Sequence, residues 1–222
     1  DLDFSLLEKN STFELASYLD GVKNEFAALG MNVTFIQKSK ATTSAIDSAF
    51  LKSETIWGEL LVETNLPQLS LSQKPSIKIK LEVDTQPPLY FETENRLLIK
   101  PFSFYVNCFT LPYLFAGKMH ALLFRKWKDR VKGRDWYDLE WYVKKGVSVN
   151  LAHLTERARE SGDWSESSLT KEQLHVLLTD RIDSLDIARV KEDVIRFIPN
   201  PQELDIWSTE YFRQLVGFLK VD

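Results

Sequence analysis

Two aspartates, Asp1 and Asp3, stand two residues apart in the opening row DLDFSL. Acid and apolar residues alternate there, so residues 1–6 are predicted as a strand. Both carboxylates then leave one face, and Leu2 and Phe4 face a core. Carboxylates projected side by side repel each other unless a cation lies between them. Mg²⁺ (or Mn²⁺) suits that place, because it takes oxygen ligands and keeps positions for water and phosphate. Taken alone, such a pair reads first as solvated acids on a strand edge. Glu82 adds weight. It lies in SIKIKLEVDT (residues 76–85), the clearest strand of the chain, where Ile77, Ile79, Leu81 and Val83 alternate with Lys78, Lys80, Glu82 and Asp84. If that strand lies beside the first, three carboxylates converge. Such a set can hold metal ions across an in-line phosphoryl displacement. A solvated amphipathic strand has the same alternation, and the residues alone leave the two readings level.

A second set of charged groups lies further on. Lys118 interrupts an apolar helical pattern (Leu114, Phe115, Ala116, Met119, Ala121, Leu122), and Arg125 follows seven positions later on nearly the same face. Both could hold a triphosphate. The row RDWYD places Asp135 and Asp138 three apart at a predicted helix start, directly after Arg134. Acids in a first helical turn are ordinary for electrostatic reasons, and that is the default reading of this pair. Between them runs a basic stretch: Arg125, Lys126, Lys128, Arg130, Lys132 and Arg134 against the single Asp129. It reads equally as a solvated helix end or a patch that meets phosphates.

The elements that must position these groups change in texture along the chain. After the first strand, residues 12–29 show helical spacing, with Thr12 as the expected cap and Gly30 beyond the end. Residues 32–37 and 45–52 read as strands, residues 56–62 fit helix or strand, and Pro87 and Pro88 end the strand at 76–85. A further extended stretch covers residues 97–109. Helices are predicted over residues 113–126, 134–144, 150–160, 171–184, 187–197 and 202–219, with Thr170 capping the fourth and Pro201 starting the last. The expected boundary lies near residue 110, between an α/β half that carries acids and a helical half that carries bases and more acids.

Composition excludes several classes. With 222 residues, 44% hydrophobic and 27% charged, the chain can bury a substantial core and is no disordered tail. A net charge of −4 gives no general attraction to nucleic acid. The single cysteine, Cys108, cannot form an internal disulfide, which fits a reducing, cytoplasmic setting. No apolar run approaches the roughly 18 residues of a membrane span. His120, His153 and His175 have no acid or cysteine at metal-ligand spacing, and His120 is expected on or packed against a helix surface. Trp127, Trp136 and Trp141 are expected to pack between helices rather than stack on a base.

Four blocks together carry a resemblance: DLDFSL, KIKLEVDTQPP, FAGKMHALLFR and KGRDWYDLEWY. In order, spacing and content they resemble the AbiEii/AbiGii-type nucleotidyltransferase toxins, over residues 1 to about 145. The resemblance implies an α+β fold: a nucleotidyltransferase-like mixed sheet with flanking helices (1–110, incomplete at its amino end), then a helical domain (111–222). By the same resemblance, Asp1, Asp3 and Glu82 would be metal-binding and catalytic. Lys118 would contact nucleotide phosphates, helped by Lys80 and Arg125, and Asp135 would be needed for activity. Asp84, Arg134 and Asp138 would give support. Such proteins are toxins of bacterial toxin–antitoxin or phage-defence pairs and transfer a nucleotide from an NTP to an acceptor, tRNA in the better understood members. A cognate antitoxin is therefore an expected partner, and a membrane is not.

The family also has a glycine-rich G-G-T/S block and an arginine upstream of its D-x-D strand. This sequence starts at the D-x-D, so the natural chain is expected to begin earlier. Two other readings stand beside nucleotidyl transfer. A two-metal nuclease would prefer acid-x-Lys, whereas Lys80-Leu81-Glu82 runs in the opposite order. A catalytically degenerate member would use its basic patch to bind RNA or a protein partner.

Overall fold

A computed structural model describes residues 2–37, 55–64, 76–125 and 132–222. The chain divides into two compact units, Asp1–Pro87 and Pro88–Asp222. Compactness thus groups the extended segments before residue 110 with the helices, while the helical texture itself starts at Leu111.

The first unit is a mixed sheet. Its strands are β1 (Leu2–Ser5), β2 (Met31–Gln37), β3 (Thr55–Thr64) and β4 (Ser76–Asp84), with helix α1 (Ala16–Ala28) between β1 and β2. The spatial order is β1-β4-β3-β2. Strand β1 runs parallel to β4, and the other pairs are antiparallel. Residues 56–62, open between helix and strand on their sequence, are strand. Their Leu60 and Val62 are buried with Leu81 and Val83, and Phe13, Leu15, Val22, Val33, Phe35 and Ile79 pack around them. The alternation read in β4 is therefore the alternation between core and open face. The strand expected at 45–52 lies outside the described residues.

Two expectations for this unit need correction. Helix α1 starts at Ala16, not Thr12, because the amide and hydroxyl of Thr12 both donate to the Asn10 side chain in a turn. Leu2 and Phe4 point away from Asp3 but are not core residues. They are 44% and 51% exposed, since among the described residues the short strand β1 has β4 alone as its neighbour.

The second unit opens with a hairpin, β5 (Thr93–Leu98) against β6 (Phe104–Phe109). Helices α2 (Leu111–Phe124), α3 (Gly133–Lys144), α4 (Leu151–Ser161), α5 (Lys171–Asp183), α6 (Ile187–Ile195) and α7 (Thr209–Gly217) follow. Local chemistry sets their starts. The Asn150 side chain accepts from the His153 amide, Thr170 and Gln173 form a reciprocal capping box, and Asp186 and Ser208 cap α6 and α7. The single helix expected over 202–219 is two pieces: a 3₁₀ turn at Pro201–Leu204 and α7. The break lets Trp207 enter the core at 2% exposure, and Ser208 then restarts the helix. Two short parallel strands, β7 (Ser148–Val149) and β8 (Lys220–Val221), had no sequence signal.

Aromatic contacts organise this core. Phe115 stacks on Tyr142 at 4.4 Å, and Phe212 receives the edges of Trp136 and Trp207, each at 5.1 Å. Trp136 is thus a packing residue, as expected. Trp141 is 38% exposed beneath the Lys145 ammonium, and Trp127 lies outside the described residues. Glu140 is buried at 4% exposure and sits among the Trp207 indole N–H at 3.1 Å, the Lys144 ammonium at 2.7 Å and the Tyr211 hydroxyl. Among the described residues no helix is long and apolar enough to cross a membrane.

Two histidines are buried here. His120 donates to Ser161 Oγ at 3.0 Å, and that hydroxyl in turn donates to Asp163. His153, 1% exposed, donates from Nδ1 to the Leu89 carbonyl at 3.2 Å. Burial pushes each pKa down to about 4; Arg157 adds to both shifts, while Asp163 opposes that of His120. Unfolded histidine titrates near 6.5, so the unfolded chain holds more protons between these values. Stability is then complete above about pH 6.5 and is lost as pH falls towards 4, by at most about 3 kcal/mol per histidine. Thermal unfolding followed by circular dichroism should show a falling midpoint from pH 7 to 4.5, with a shallower slope in His120→Gln. A midpoint that stays level across that range contradicts both assignments.

Candidate active site

The open face of the sheet collects acids because of register. Strands β1 and β4 align Leu2 with Leu81, Asp3 with Glu82, Phe4 with Val83 and Ser5 with Asp84. Partners across adjacent strands share a face, and neighbouring strands lie about 4.8 Å apart. Asp3 and Glu82 are therefore side by side and point the same way. On the other flank, β3 sets Glu59 beside Lys80 and Thr55 beside Asp84.

Glu82 is a third exposed, and its Oε1 lies 2.7 Å from Lys80 Nζ. Lys80 shares the acidic face and neutralises part of it. Asp84 accepts the Gln86 amide at 3.0 Å, which turns the chain after β4. Asp1 lies outside the described residues. Among the described residues no three His, Cys, Asp or Glu side chains gather as a metal centre. What is on hand is a pair of adjacent carboxylates open to water. Their hard oxygen donors fit Mg²⁺ or Mn²⁺ and would suit soft metals poorly.

The second unit gathers the other predicted residues at the start of α3. Lys118 Nζ of α2 lies 2.7 Å from Asp138 Oδ2. Asp135 is 7% exposed, with Lys132 Nζ at 3.9 Å. An acid in a first helical turn is ordinary; a buried one is not. Burial raises the Asp135 pKa against the pull of Lys132, Arg125 and Lys118. Burial likewise lowers that of Lys132, where Asp135 opposes the shift and Arg125, Arg134 and Lys118 add to it. Both partners move towards neutrality, so desolvation outweighs their mutual attraction at this separation. Burial also pushes the Tyr142 hydroxyl up to about 12, with a further contribution from Asp138.

The predicted residues therefore separate into pairs. Asp3 lies beside Glu82 in the strand register, Glu82 pairs with Lys80, and Lys118 pairs with Asp138. Arg134 turns its guanidinium onto the Phe197 ring, 4.9 Å from the centroid. The backbone carbonyl of Arg125 accepts from Arg181 at 3.0 Å, which closes the end of α2. Lys126, Lys128 and Arg130 of the basic stretch lie outside the described residues. Two roles escaped the sequence reading, which placed Lys132 only in the basic stretch and did not single out Gly133. Lys132 partners Asp135, and the only signal was its i,i+3 spacing. Gly133 lets α3 approach α6 closely: its amide donates to Asp193 at 2.9 Å, and a Cβ there would lie 2.2 Å from the Val190 carbonyl oxygen.

Searches of curated proteins and of solved structures gave no match. One family model does match, over residues 1–216, and its description is nucleotidyl transferase AbiEii toxin, type IV TA system. With paired carboxylates on the sheet and a match along nearly its whole length, the chain belongs to the AbiEii family of nucleotidyltransferase toxins of type IV toxin–antitoxin systems.

Proposed function

We propose that this toxin transfers a nucleotide from an NTP to an RNA acceptor, tRNA foremost, in a reaction that needs Mg²⁺ or Mn²⁺. The observation that carries the metal requirement is the parallel register of Asp3 and Glu82, two carboxylates on one face with open access to water. With Asp1 they would hold the cation. When bound, it would supply charge stabilisation to the phosphoryl oxygens.

Lys80 is placed to neutralise Glu82 until a cation arrives, and its ammonium is then available to phosphate oxygens. In the second unit, Lys118 offers a half-exposed ammonium held by Asp138, and Arg125 adds positive charge nearby. We assign those two to phosphate binding. Asp135, its pKa raised by burial, is suited to accept a proton from an acceptor hydroxyl, because a general base works best when its pKa approaches the working pH. Asp84, Arg134 and Asp138 support these groups. The reaction belongs in the cytoplasm, where NTPs and tRNA are found, and arrest of translation there would serve phage defence. Family membership also carries an antitoxin partner.

The test is direct. Full-length protein, including any residues before Asp1, is incubated with each labelled NTP and total RNA, with Mg²⁺ or with EDTA. Label should enter one RNA class with Mg²⁺ and stay out with EDTA. RNA that is shortened instead would replace transfer by nuclease action, and the absence of both label and NTP binding would leave a binding protein.

A further inference from the structure

Strands β5 and β6 form a two-stranded sheet, and among the described residues neither has a partner on its outer side. Such a hairpin is marginal by itself in water, and an open edge is a template for another strand. It also carries a cluster of exposed apolar side chains: Leu97, Leu98, Ile99, Phe102, Phe104 and Tyr105. Single exposed apolar residues are ordinary, but a cluster on one hairpin and its turn marks an interaction surface. Backbone polarity decides what the edge offers. The Thr110 amide donates to the Glu92 carbonyl at 3.0 Å, which makes these two a hydrogen-bonded pair. Such pairs alternate along antiparallel strands, and the register continues through Glu94 with Cys108, Asn95 with Asn107 and Arg96 with Val106. Glu94 and Arg96 therefore turn their backbone groups towards β6, while Thr93, Asn95 and Leu97 turn theirs outward.

The free edge of β5 thus centres on Asn95, with an acid before it and a base after it. That order is self-complementary. When a second β5 approaches antiparallel, with a two-fold axis at Asn95, the two Asn95 residues exchange backbone hydrogen bonds. Glu94 then lies opposite Arg96 of the second copy, and Arg96 opposite its Glu94. Both are non-hydrogen-bonded positions, where side chains come closest. Within one chain Arg96 already donates to Glu94 Oε1, from Nε at 2.9 Å and from Nη2 at 2.6 Å. The second copy closes this pair into a ring of alternating charges. Moving the axis by one residue would set Glu94 against Glu94 or Arg96 against Arg96, so charge also selects the register. The same register sets Leu97 against Thr93 of the copy and brings Ile99 level with its Phe91, which covers part of the apolar cluster.

We infer that two copies of this chain associate through β5, antiparallel and centred on Asn95, into a continuous sheet of order β6-β5-β5-β6. The contact uses no residue assigned to nucleotidyl transfer, so the two readings fail separately.

The experiment is sedimentation velocity of the full chain. Between about 1 µM and about 1 mM a monomer should pass to a dimer, since an interface this small is of the weak, transient class. Arg96→Glu and Glu94→Arg should each weaken the dimer by at least about tenfold, because each sets like charges opposite at both positions. An equimolar mixture of the two variants should regain it, because every pair across the axis is then again Glu with Arg. Asn95→Pro removes an amide that points away from β6, so the hairpin keeps its ladder while the dimer weakens. A chain that stays monomeric throughout overturns the proposal, as does association that continues past two copies, which a closed two-fold contact forbids. A dimer that survives Asn95→Pro, or that neither charge substitution weakens, overturns it too and places the contact elsewhere. So does a mixture that stays monomeric while both charge variants keep the native circular dichroism spectrum.

Discussion

Glu82→Gln should lose nucleotidyl transfer by about 10³-fold and leave the unfolding midpoint nearly unchanged. A cation that neutralises charge at a reacting phosphoryl group contributes several kcal/mol to the transition state, which converts to that factor. Gln keeps the size of the side chain but removes the negative charge that attracts the ion. The fold has little at stake. Glu82 is a third exposed, its pair with Lys80 is of the surface type worth about 0–1 kcal/mol, and the core face of β4 is carried by Leu81 and Val83. Asp3→Ala should fail equally. Combining the two should cost little more than either alone, because one lost ion is lost once. The measurement is label transfer at several Mg²⁺ concentrations beside thermal unfolding of each variant. Transfer at the native rate in either single variant would remove that residue from metal binding.

Gly133→Ala should act through packing. The added Cβ would meet the Val190 carbonyl oxygen at 2.2 Å and Val194 Cβ at 3.1 Å, where ordinary contact begins near 3.4 Å. Helix α3 must then withdraw from α6, which strains the bond from the Gly133 amide to Asp193. Overpacking of this kind costs about 3 kcal/mol, and for a chain of this size that lowers the melting temperature by roughly 6–12 °C. Activity should fall as well, since Asp135 and its partner Lys132 flank this glycine. Gly217→Ala is the matched control. It also lies in a helix, but a Cβ there meets nothing within 4 Å, so its melting temperature should hold or rise slightly. Equal effects of the two substitutions would show that helix propensity, not the close approach to α6, governs position 133.

What could be read from the sequence was mostly local. The alternation in residues 76–85 reports one buried and one open face, and β4 has both. Thr170 and Gly30 mark helix ends because capping involves residues only a few positions apart. The register of Asp3 against Glu82 is another matter. It joins segments some eighty positions apart, and a slip by one residue would turn the two carboxylates to opposite faces. Composition carries no trace of that choice; the resemblance to a family did. Burial was equally hidden. Asp135 looked like an ordinary first-turn acid and Glu140 was not singled out, yet both are buried. Phe4 failed in the opposite sense, because among the described residues β1 has β4 alone as its neighbour.

The pairing of β7 with β8, extended by the Asp222 amide on the Val149 carbonyl, has a consequence for how the helical unit opens. These backbone hydrogen bonds close the segment that holds α4, α5, α6 and α7 into one loop. While this clasp is closed, a helix inside the loop has no free end from which to peel away. Amide hydrogens in α4 and α7 should therefore exchange with solvent through one shared opening rather than through independent fraying.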